Sequence, residues 1–228
     1  MELFKYLSQD VRFVEGLKSC MNCGICTAIC PAAEFYDYDP RVILNIMQTK
    51  DNDEIEHLLK SEKIWLCGQC MSCKTRCPRG NCPGQVISVL RKASQEFGYF
   101  TETRIGLQQY ALYKVIGLNI LKYGYCIHPT SVVPELHPEQ GPVWEWIYNN
   151  MADVYERTGA NLDKDGEGGL RKISEETLNE LKLIFDETGA TELYEKIKNL
   201  SHTKAKELGF KDVENDDTEF FNYVYFEK

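Results

Sequence analysis

The chain contains the run Cys20-Met-Asn-Cys23-Gly-Ile-Cys26-Thr-Ala-Ile-Cys30-Pro31, in which four cysteines are separated by two, two and three residues. The same spacing returns in Cys67-Gly-Gln-Cys70-Met-Ser-Cys73-Lys-Thr-Arg-Cys77-Pro78. Three cysteines two residues apart let one tight loop present three sulfur atoms to a single group. The fourth cysteine begins the departing segment, and the proline after it fixes the direction of that segment. Both runs are therefore predicted to be ligand loops of one design.

The pattern resembles the C-x2-C-x2-C-x3-C-P run of bacterial two-cluster ferredoxins, whose [4Fe–4S] clusters are held by cysteine thiolates. In such pairs the fourth cysteine of each run ligates the other cluster. The resemblance implies two ligand sets: Cys20, Cys23, Cys26 and Cys77 for one cluster, and Cys67, Cys70, Cys73 and Cys30 for the other. This crossing would hold together two runs that are separated by 36 residues.

Structural zinc is the main alternative for cysteine pairs of this kind. Zinc takes four ligands, usually two pairs from separate loops, and has no use for a third cysteine two residues on or for a trailing Cys-Pro. Because the full run occurs twice, the sequence favours iron–sulfur clusters over zinc.

Composition limits the class of protein. The 228 residues include ten cysteines, which would suit disulfides only in a short exported domain, so metal ligation is the better interpretation. The start of the sequence lacks the apolar stretch of a signal peptide, and no apolar run approaches the ~20 residues of a membrane span. We therefore expect a soluble, cytoplasmic protein.

Charge divides the chain unevenly. Residues 1–100 carry 12 basic and 12 acidic side chains, whereas residues 101–228 carry 14 and 23, which accounts for the whole net charge of −9. An acidic second half argues against nucleic acid as a partner, because phosphate contacts need a basic face.

Hydrophobic periodicity predicts a mainly α protein: an α-helical ferredoxin domain over 1–100 and a helical, acidic C-terminal extension over 101–228 that docks partners. The predicted helices are 1–18, one starting at Asp39-Pro40, one capped by Asp53, one after Pro83, 104–123, 143–158, 175–187 and 191–208. The helix at 104–123 is apolar on most faces, which indicates burial against either a partner or the rest of this chain. The aromatic tail at 220–226 has the same two interpretations.

Two cysteines lie outside the runs. Cys82 is five residues beyond Cys77 and is interpreted either as a buried apolar residue or as a redox-active thiol beside a cluster. Cys126 with His128 resembles half of a metal site, without a second pair. The basic residues Lys74, Arg76 and Arg79 either raise the potential of the nearby cluster or form a solvated docking patch.

The two runs, the helical connection with Pro40-Arg41 and the ending Cys77-Pro78-Arg79-Gly80 resemble the C subunit of heterodisulfide reductase over about residues 1–100. The chain also resembles, more loosely, the iron–sulfur subunits of succinate dehydrogenase, fumarate reductase and glycolate oxidase. The resemblance implies an α-helical ferredoxin fold that passes electrons between a flavin-bearing A subunit and a cysteine-rich B subunit. Because the chain extends far beyond residue 100, it is similar to the longer C subunits of heterodisulfide reductase-like complexes of sulfur oxidisers.

Three functions follow from these features. The favoured one is a non-catalytic electron-transfer subunit, since eight motif cysteines used on two clusters leave no open iron position for substrate. The second is a catalytic subunit in which Cys82 or Cys126 attacks a disulfide or persulfide. The third is a non-redox binding module in which zinc or clusters only cross-link the chain.

Overall fold

The computed structural model describes residues 2–226, and every regular element in that range is helical. The α-helices are α1 (Leu3–Leu7), α2 (Val11–Gly16), α3 (Ile25–Ala28), α4 (Pro31–Phe35), α5 (Pro40–Thr49), α6 (Asn52–Leu59), α7 (Ser72–Arg76), α8 (Pro83–Phe97), α9 (Arg104–Leu112), α10 (Leu118–Tyr123), α11 (Gly141–Asn149), α12 (Met151–Arg157), α13 (Glu175–Glu187), α14 (Ala190–Glu207) and α15 (Thr218–Phe226). Short 3₁₀ turns cover Glu62–Ile64, Tyr99–Glu102, Pro129–Ser131 and Pro138–Gln140, and a π-helical turn covers Tyr113–Gly117. The predicted mainly α class is confirmed.

The chain divides into two compact units, Met1–Leu107 and Gln108–Lys228. Within residues 2–226, none of the helices combines the length and the apolarity that a bilayer crossing requires.

Helix α8 is the centre of the first unit. It was predicted after Pro83 and begins at this proline itself. It packs against α2, α5, α6 and α7. Its predicted apolar stripe is buried and consists of Val86, Val89, Leu90 and Ala93. Local sequence signals therefore placed this helix correctly.

The two helices between the cysteine runs begin at aspartate caps. Asp39 accepts a hydrogen bond from the backbone N–H of Arg41 at 2.8 Å, and Pro40 opens α5, as predicted. The predicted cap of α6 is wrong by two residues: Asp51, not Asp53, accepts from the N–H groups of Asp53 (2.9 Å) and Glu54 (3.3 Å). The extended backbone of Asp51 lets its carboxylate reach two amides that have no partner within the helix.

The single N-terminal helix predicted over 1–18 is two short helices, α1 and α2. Asp10 is extended and accepts from the N–H of Arg12 at 2.9 Å, so it starts a new helix. The break changes which side chains face the core: Phe13 is buried, whereas Val11 and Val14 are exposed.

The helix predicted over 104–123 is interrupted by the π-helical turn but continues through it. Leu112 and Leu118 are exposed on its surface, so burial within the second unit does not cover every face. The helix predicted over 143–158 breaks at Asn150 into α11 and α12.

The aromatic tail packs within the second unit. Phe220 and Val224 are fully buried, and the ring of Phe220 lies 5.4 Å from that of Tyr110. Lys114 forms an ion pair with Asp217 at 2.5 Å just before α15. Of the two interpretations of the tail, packing on its own unit is therefore the one observed.

Candidate metal centre

The first cysteine run forms a tight loop through two residues with positive φ. Asn22 has φ +59° and Gly24 has φ +79°, and the second of these leads directly into α3. The loop turns the backbone N–H of Asn22 toward the sulfur atom of Cys20 at 3.4 Å. Cys30 then leaves in an extended conformation, and Pro31 opens α4.

The second run repeats this loop with different residues. Gln69 has φ +52° and Met71 has φ +59°, and the N–H of Gln69 points to the sulfur atom of Cys67 at 3.4 Å. Helix α7 follows, and Cys77 is extended like Cys30. Because α3 packs against α7, the two loops lie side by side.

Cysteines from both runs surround one cavity. Those that line it are Cys20, Cys23, Cys26 and Cys77, the four residues of the first predicted ligand set. Cys77 also accepts hydrogen bonds from the backbone N–H of Asn81 at 3.3 Å and from its side-chain Nδ2 at 3.7 Å. Asn81 is buried, and its side-chain oxygen accepts from the N–H of Lys18 at 2.6 Å. The fourth cysteine of the second run is thus held beside the first loop.

A second group of residues forms around Cys67. The guanidinium of Arg91 donates to the carbonyl oxygens of Ile64 (2.7 Å), Trp65 (2.8 Å) and Cys67 (2.6 Å), which fixes the chain at the start of the second run. Tyr38 is buried, and burial raises the pKa of its hydroxyl. The charges of Cys67 and Cys30 raise this pKa further. Tyr38 is therefore within electrostatic range of one cysteine from each run.

The cysteines differ in acidity. Burial raises the pKa of Cys73 to about 11, and it also raises the pKa of Cys26. Burial opposes ionisation of Cys77 too, but hydrogen bonds from the backbone and side chain around it bring its pKa below the ordinary value. Hydrogen bonds from Ser72 lower the pKa of Cys70. Since the thiolate is the ligand, the buried thiols must release their protons when a cluster binds.

Buried donors without an acceptor test whether clusters fit here. Within the described part of the chain, the Tyr38 hydroxyl, Arg41 Nε and Trp65 Nε1 are buried and have no hydrogen-bond partner. Arg41 lines the cavity of the first ligand set, and Tyr38 faces Cys67 and Cys30. Sulfur atoms of a cluster are hydrogen-bond acceptors, so these donors fit two iron–sulfur sites. When bound, such clusters supply one-electron transfer, and the chain supplies thiolates, N–H donors and partial burial.

Among the other candidate residues, Arg79 lines the cavity of the first ligand set. Cys82 is buried, as one of its two interpretations predicted, and its sulfur atom lies 3.7 Å from the sulfur of Met71. Cys126 is exposed. Lys74 and Arg76 are exposed to solvent on α7. Tyr38, Asn81 and Arg91 carried no sequence signal, because a polar residue between apolar ones reveals its partner only after folding.

Comparison with known proteins finds similarity that includes both cysteine runs. A family model described as a 4Fe-4S dicluster domain matches residues 16–81, which include both runs. The chain is also 32% identical over 164 residues to the C subunit of the ferredoxin:CoB-CoM heterodisulfide reductase of Methanosarcina acetivorans, covering 71% of this chain and 62% of the relative. The chain is similar to this heterodisulfide reductase C subunit over the matched residues. The chain's cofactors are two [4Fe–4S] clusters, as predicted.

Two other C subunits are similar to the chain at lower identity. The iron-sulfur C subunit of the CoB–CoM heterodisulfide reductase of Methanopyrus kandleri is 25% identical over 128 residues, 56% of this chain and 60% of the relative. The C2 subunit of the H(2)/formate:CoB-CoM heterodisulfide,ferredoxin reductase of Methanococcus maripaludis is 25% identical over 146 residues, 62% of this chain and 72% of the relative. The chain thus spans about 60% of the length of the first two C subunits.

These matches correct the expectation that the resemblance to the C subunit covers only about residues 1–100. A match of 164 residues extends beyond the first unit, so the resemblance is not confined to residues 1–100. The same 164 residues are 71% of this chain but 62% of the Methanosarcina relative, so that relative is longer than this chain. Length therefore does not separate this chain from the methanogen C subunits.

Proposed function

We propose that this chain is a non-catalytic subunit that relays electrons through its two [4Fe–4S] clusters inside a heterodisulfide reductase-like complex. Cys20, Cys23, Cys26 and Cys77 hold one cluster, and Cys67, Cys70, Cys73 and Cys30 hold the other. The observation that carries the proposal is the repeated loop conformation of the two runs, with Cys77 lining the cavity of the first run. With all eight cysteines engaged, neither cluster offers an open iron position for substrate.

The partners belong to the proposal as well. The electron donor is a flavin-containing A-type subunit and the acceptor a cysteine-rich B-type subunit, or the reverse, and the complex is cytoplasmic. The Methanosarcina relative is named for ferredoxin, and the Methanococcus relative is named for H(2)/formate as well as ferredoxin. The named reactants differ between these two complexes, but both contain a C subunit. A protein that only carries electrons suits such variety.

The direct test is to purify the chain with the subunits that accompany it. The chain should contain about eight irons, as two cubes require, and both clusters should be reduced and reoxidised within the turnover time of the complex when followed by rapid-mixing absorbance. Far fewer irons, or clusters that stay oxidised during turnover, would reject the relay.

The physiological setting is separable from the relay. In our proposal the complex acts in sulfur metabolism, either on a disulfide of thiol coenzymes or on protein-bound sulfur. Assaying the purified complex with both substrate classes distinguishes the two. Co-purification with the catalytic subunit of a succinate dehydrogenase or a glycolate oxidase would instead place the chain in that looser group.

Catalysis by a thiol of this chain is the alternative function. Burial of Cys82 speaks against it, because a reactive thiolate must be accessible. Cys126→Ser tests the remaining thiol, which is exposed. Complex activity is expected to be unchanged in this variant, and loss of activity with full iron content would favour the catalytic alternative.

Partner docking is proposed for the second unit. Val143 and Trp146 on α11 are 71% and 56% exposed, and large apolar side chains at such exposure suit an interface. Trp146→Glu should reduce co-purification of the partners at unchanged iron content. Glu145→Gln is the matched control, because Glu145 is an exposed charged residue on the same helix.

A further inference from the structure

Tyr38 is a buried residue whose hydroxyl lacks a hydrogen bond of ordinary geometry. The side chain is 4% exposed, and the hydroxyl makes no hydrogen bond of ordinary geometry to the described residues. Folding rarely leaves such a group without a partner, because its hydration is lost with nothing in return. Besides burial, Cys67 acts on the hydroxyl as a hydrogen-bond partner and raises its pKa. The hydroxyl therefore indicates an acceptor at this sulfur atom or at a group bound to it.

The surroundings of this hydroxyl identify the acceptor. Apart from burial, the groups that act most on the hydroxyl are the sulfur atoms of Cys67 and Cys30, which belong to different runs but to one proposed ligand set. Arg91 lies on the same side, since it acts on Tyr38 and donates to the carbonyl oxygen of Cys67 at 2.6 Å. The hydroxyl thus lies beside Cys67, a proposed ligand of the second cluster, and within electrostatic range of Cys30.

We propose that the Tyr38 hydroxyl donates a hydrogen bond to a sulfur atom of the cluster held by Cys67, Cys70, Cys73 and Cys30, and thereby raises the reduction potential of that cluster alone. Reduction adds a negative charge to the cluster, and a hydrogen bond to its sulfur stabilises that charge. The inference rests on the proposed function and deepens it, because it makes the two steps of the relay unequal.

The first ligand set has a different buried donor. Asn81 is 1% exposed, and both its backbone N–H and its Nδ2 are directed at Cys77, while its side-chain oxygen accepts from Lys18. These hydrogen bonds join protein groups, whereas the Tyr38 hydroxyl has no hydrogen bond of ordinary geometry to the described residues. The first site thus has Asn81 and the buried Nε of Arg41, whereas the second has the Tyr38 hydroxyl, so the two clusters are not equivalent.

Tyr38→Phe removes the hydroxyl and keeps the ring, so it is the variant that tests the inference. Tyr36→Phe is the matched control, because Tyr36 lies two residues away and is 55% exposed. Full-length wild type and both variants are loaded with iron and sulfide and titrated potentiometrically, with electron paramagnetic resonance to separate the clusters. Iron content is measured on the same samples.

The expected result is a shift of one cluster in Tyr38→Phe to a lower potential, with the other cluster and the iron content unchanged. Tyr36→Phe should titrate like the wild type. The shifted signal should be the one that Cys70→Ser also perturbs, since Cys70 is proposed to ligate the same cluster. Proton–deuterium exchange should alter the hyperfine couplings of that signal in the wild type and lose this effect in Tyr38→Phe.

Several results would overturn the inference. Unshifted potentials, an equal shift of both clusters or an equal effect in Tyr36→Phe would each show that the hydroxyl does not tune the second cluster. Loss of iron in Tyr38→Phe would assign the hydroxyl to cluster assembly instead. A wild type without reducible clusters would reject the proposed function itself, whereas a wild type with two clusters and a silent Tyr38→Phe rejects only this inference.

Discussion

Asn22 and Gln69 occupy the same position in the two cysteine runs and share one backbone conformation. Their φ angles are +59° and +52°, and each N–H lies 3.4 Å from the sulfur atom of the cysteine two residues before it. The correspondence continues to the fourth cysteines: Cys30 and Cys77 have φ of −74° and −75°, with ψ of 118° in both. Since the intervening residues differ, the cysteine spacing and the loop geometry impose this conformation.

A prediction for Gln69 follows from its positive φ. The left-handed region costs a residue with a Cβ about 1–2 kcal/mol, and a β-branched side chain tolerates it worst. Gln69→Gly should therefore assemble both clusters as well as the wild type, whereas Gln69→Val should assemble less of the second. Iron per chain and visible absorbance after loading with limiting iron measure this. Ser88→Ala is the control for the hydrogen bond from Gln69 Nε2 to Ser88 Oγ at 2.9 Å. Equal loading of the Gly and Val variants would contradict the prediction.

The crossed ligand sets predict which substitutions damage the same cluster. Cys30→Ser should produce the spectral change of Cys70→Ser, although Cys30 belongs to the first run by sequence. Cys77→Ser should correspondingly match Cys23→Ser, because Cys77 and Cys23 line one cavity. Electron paramagnetic resonance of the reduced variants makes the comparison. If Cys30→Ser instead matched Cys23→Ser, each run would hold its own cluster.

Gly117 in the π-helical turn leads to a prediction about packing. A Cβ at this position would lie 2.8 Å from the ring of Tyr194, and that ring is held between Tyr113 (5.3 Å) and Phe185 (5.7 Å). Gly117→Ala gains about 1 kcal/mol of helix propensity but overpacks the site at a cost of about 1–3 kcal/mol.

Gly117→Ala should therefore lower the midpoint of thermal unfolding. Gly169→Ala is the matched control, because no atom lies within 4 Å of its added Cβ, and its effect should stay within about 0.5 kcal/mol. Equal midpoints for the two variants would show that the Tyr194 ring can move away.

Local signals in the sequence predicted most of the helices and failed where two signals competed. Pro83 and the apolar stripe that follows it predicted α8, because the start signal and the helical spacing of the apolar residues indicate the same helix. Asp51 and Asp53 are equally good caps by residue type, and only the extended backbone of Asp51 decides between them. The break at Asp10 was missed since the apolar spacing continues across it.

The ligands of the site were predictable because their spacing along the chain is itself the geometric requirement. The hydroxyl of Tyr38 and the amide of Asn81 were not, since their partners come from distant segments and depend on tertiary packing. The length of the extension suggested a resemblance to the longer C subunits of sulfur oxidisers. That inference used chain length alone, whereas the match to the Methanosarcina relative extends beyond the first unit.

His202 gives the second unit a predictable dependence on pH. It is largely buried, and its Nε2 lies 2.9 Å from the hydroxyl of Tyr110. Burial lowers its pKa from the ordinary value, although nearby carboxylates oppose this. The charged groups that act on it are Asp217, Lys198, Glu214 and Lys114.

A lowered histidine pKa means that the unfolded state binds the proton more readily than the folded one. The contribution of His202 to stability is therefore complete above its unfolded pKa of about 6.5 and is lost as pH falls below that value. Hydrogen exchange of peptides covering 197–205 and 218–226, corrected for intrinsic rates, should show less protection at about pH 5.5 than at about pH 7.5.

His202→Gln keeps a polar partner for Tyr110 but cannot titrate, so its protection should depend less on pH. His57→Gln, which changes a histidine of the first unit, is the control. An equally steep pH dependence in His202→Gln would show that another group titrates, and the buried contact of His202 with Tyr110 would then have no part in it.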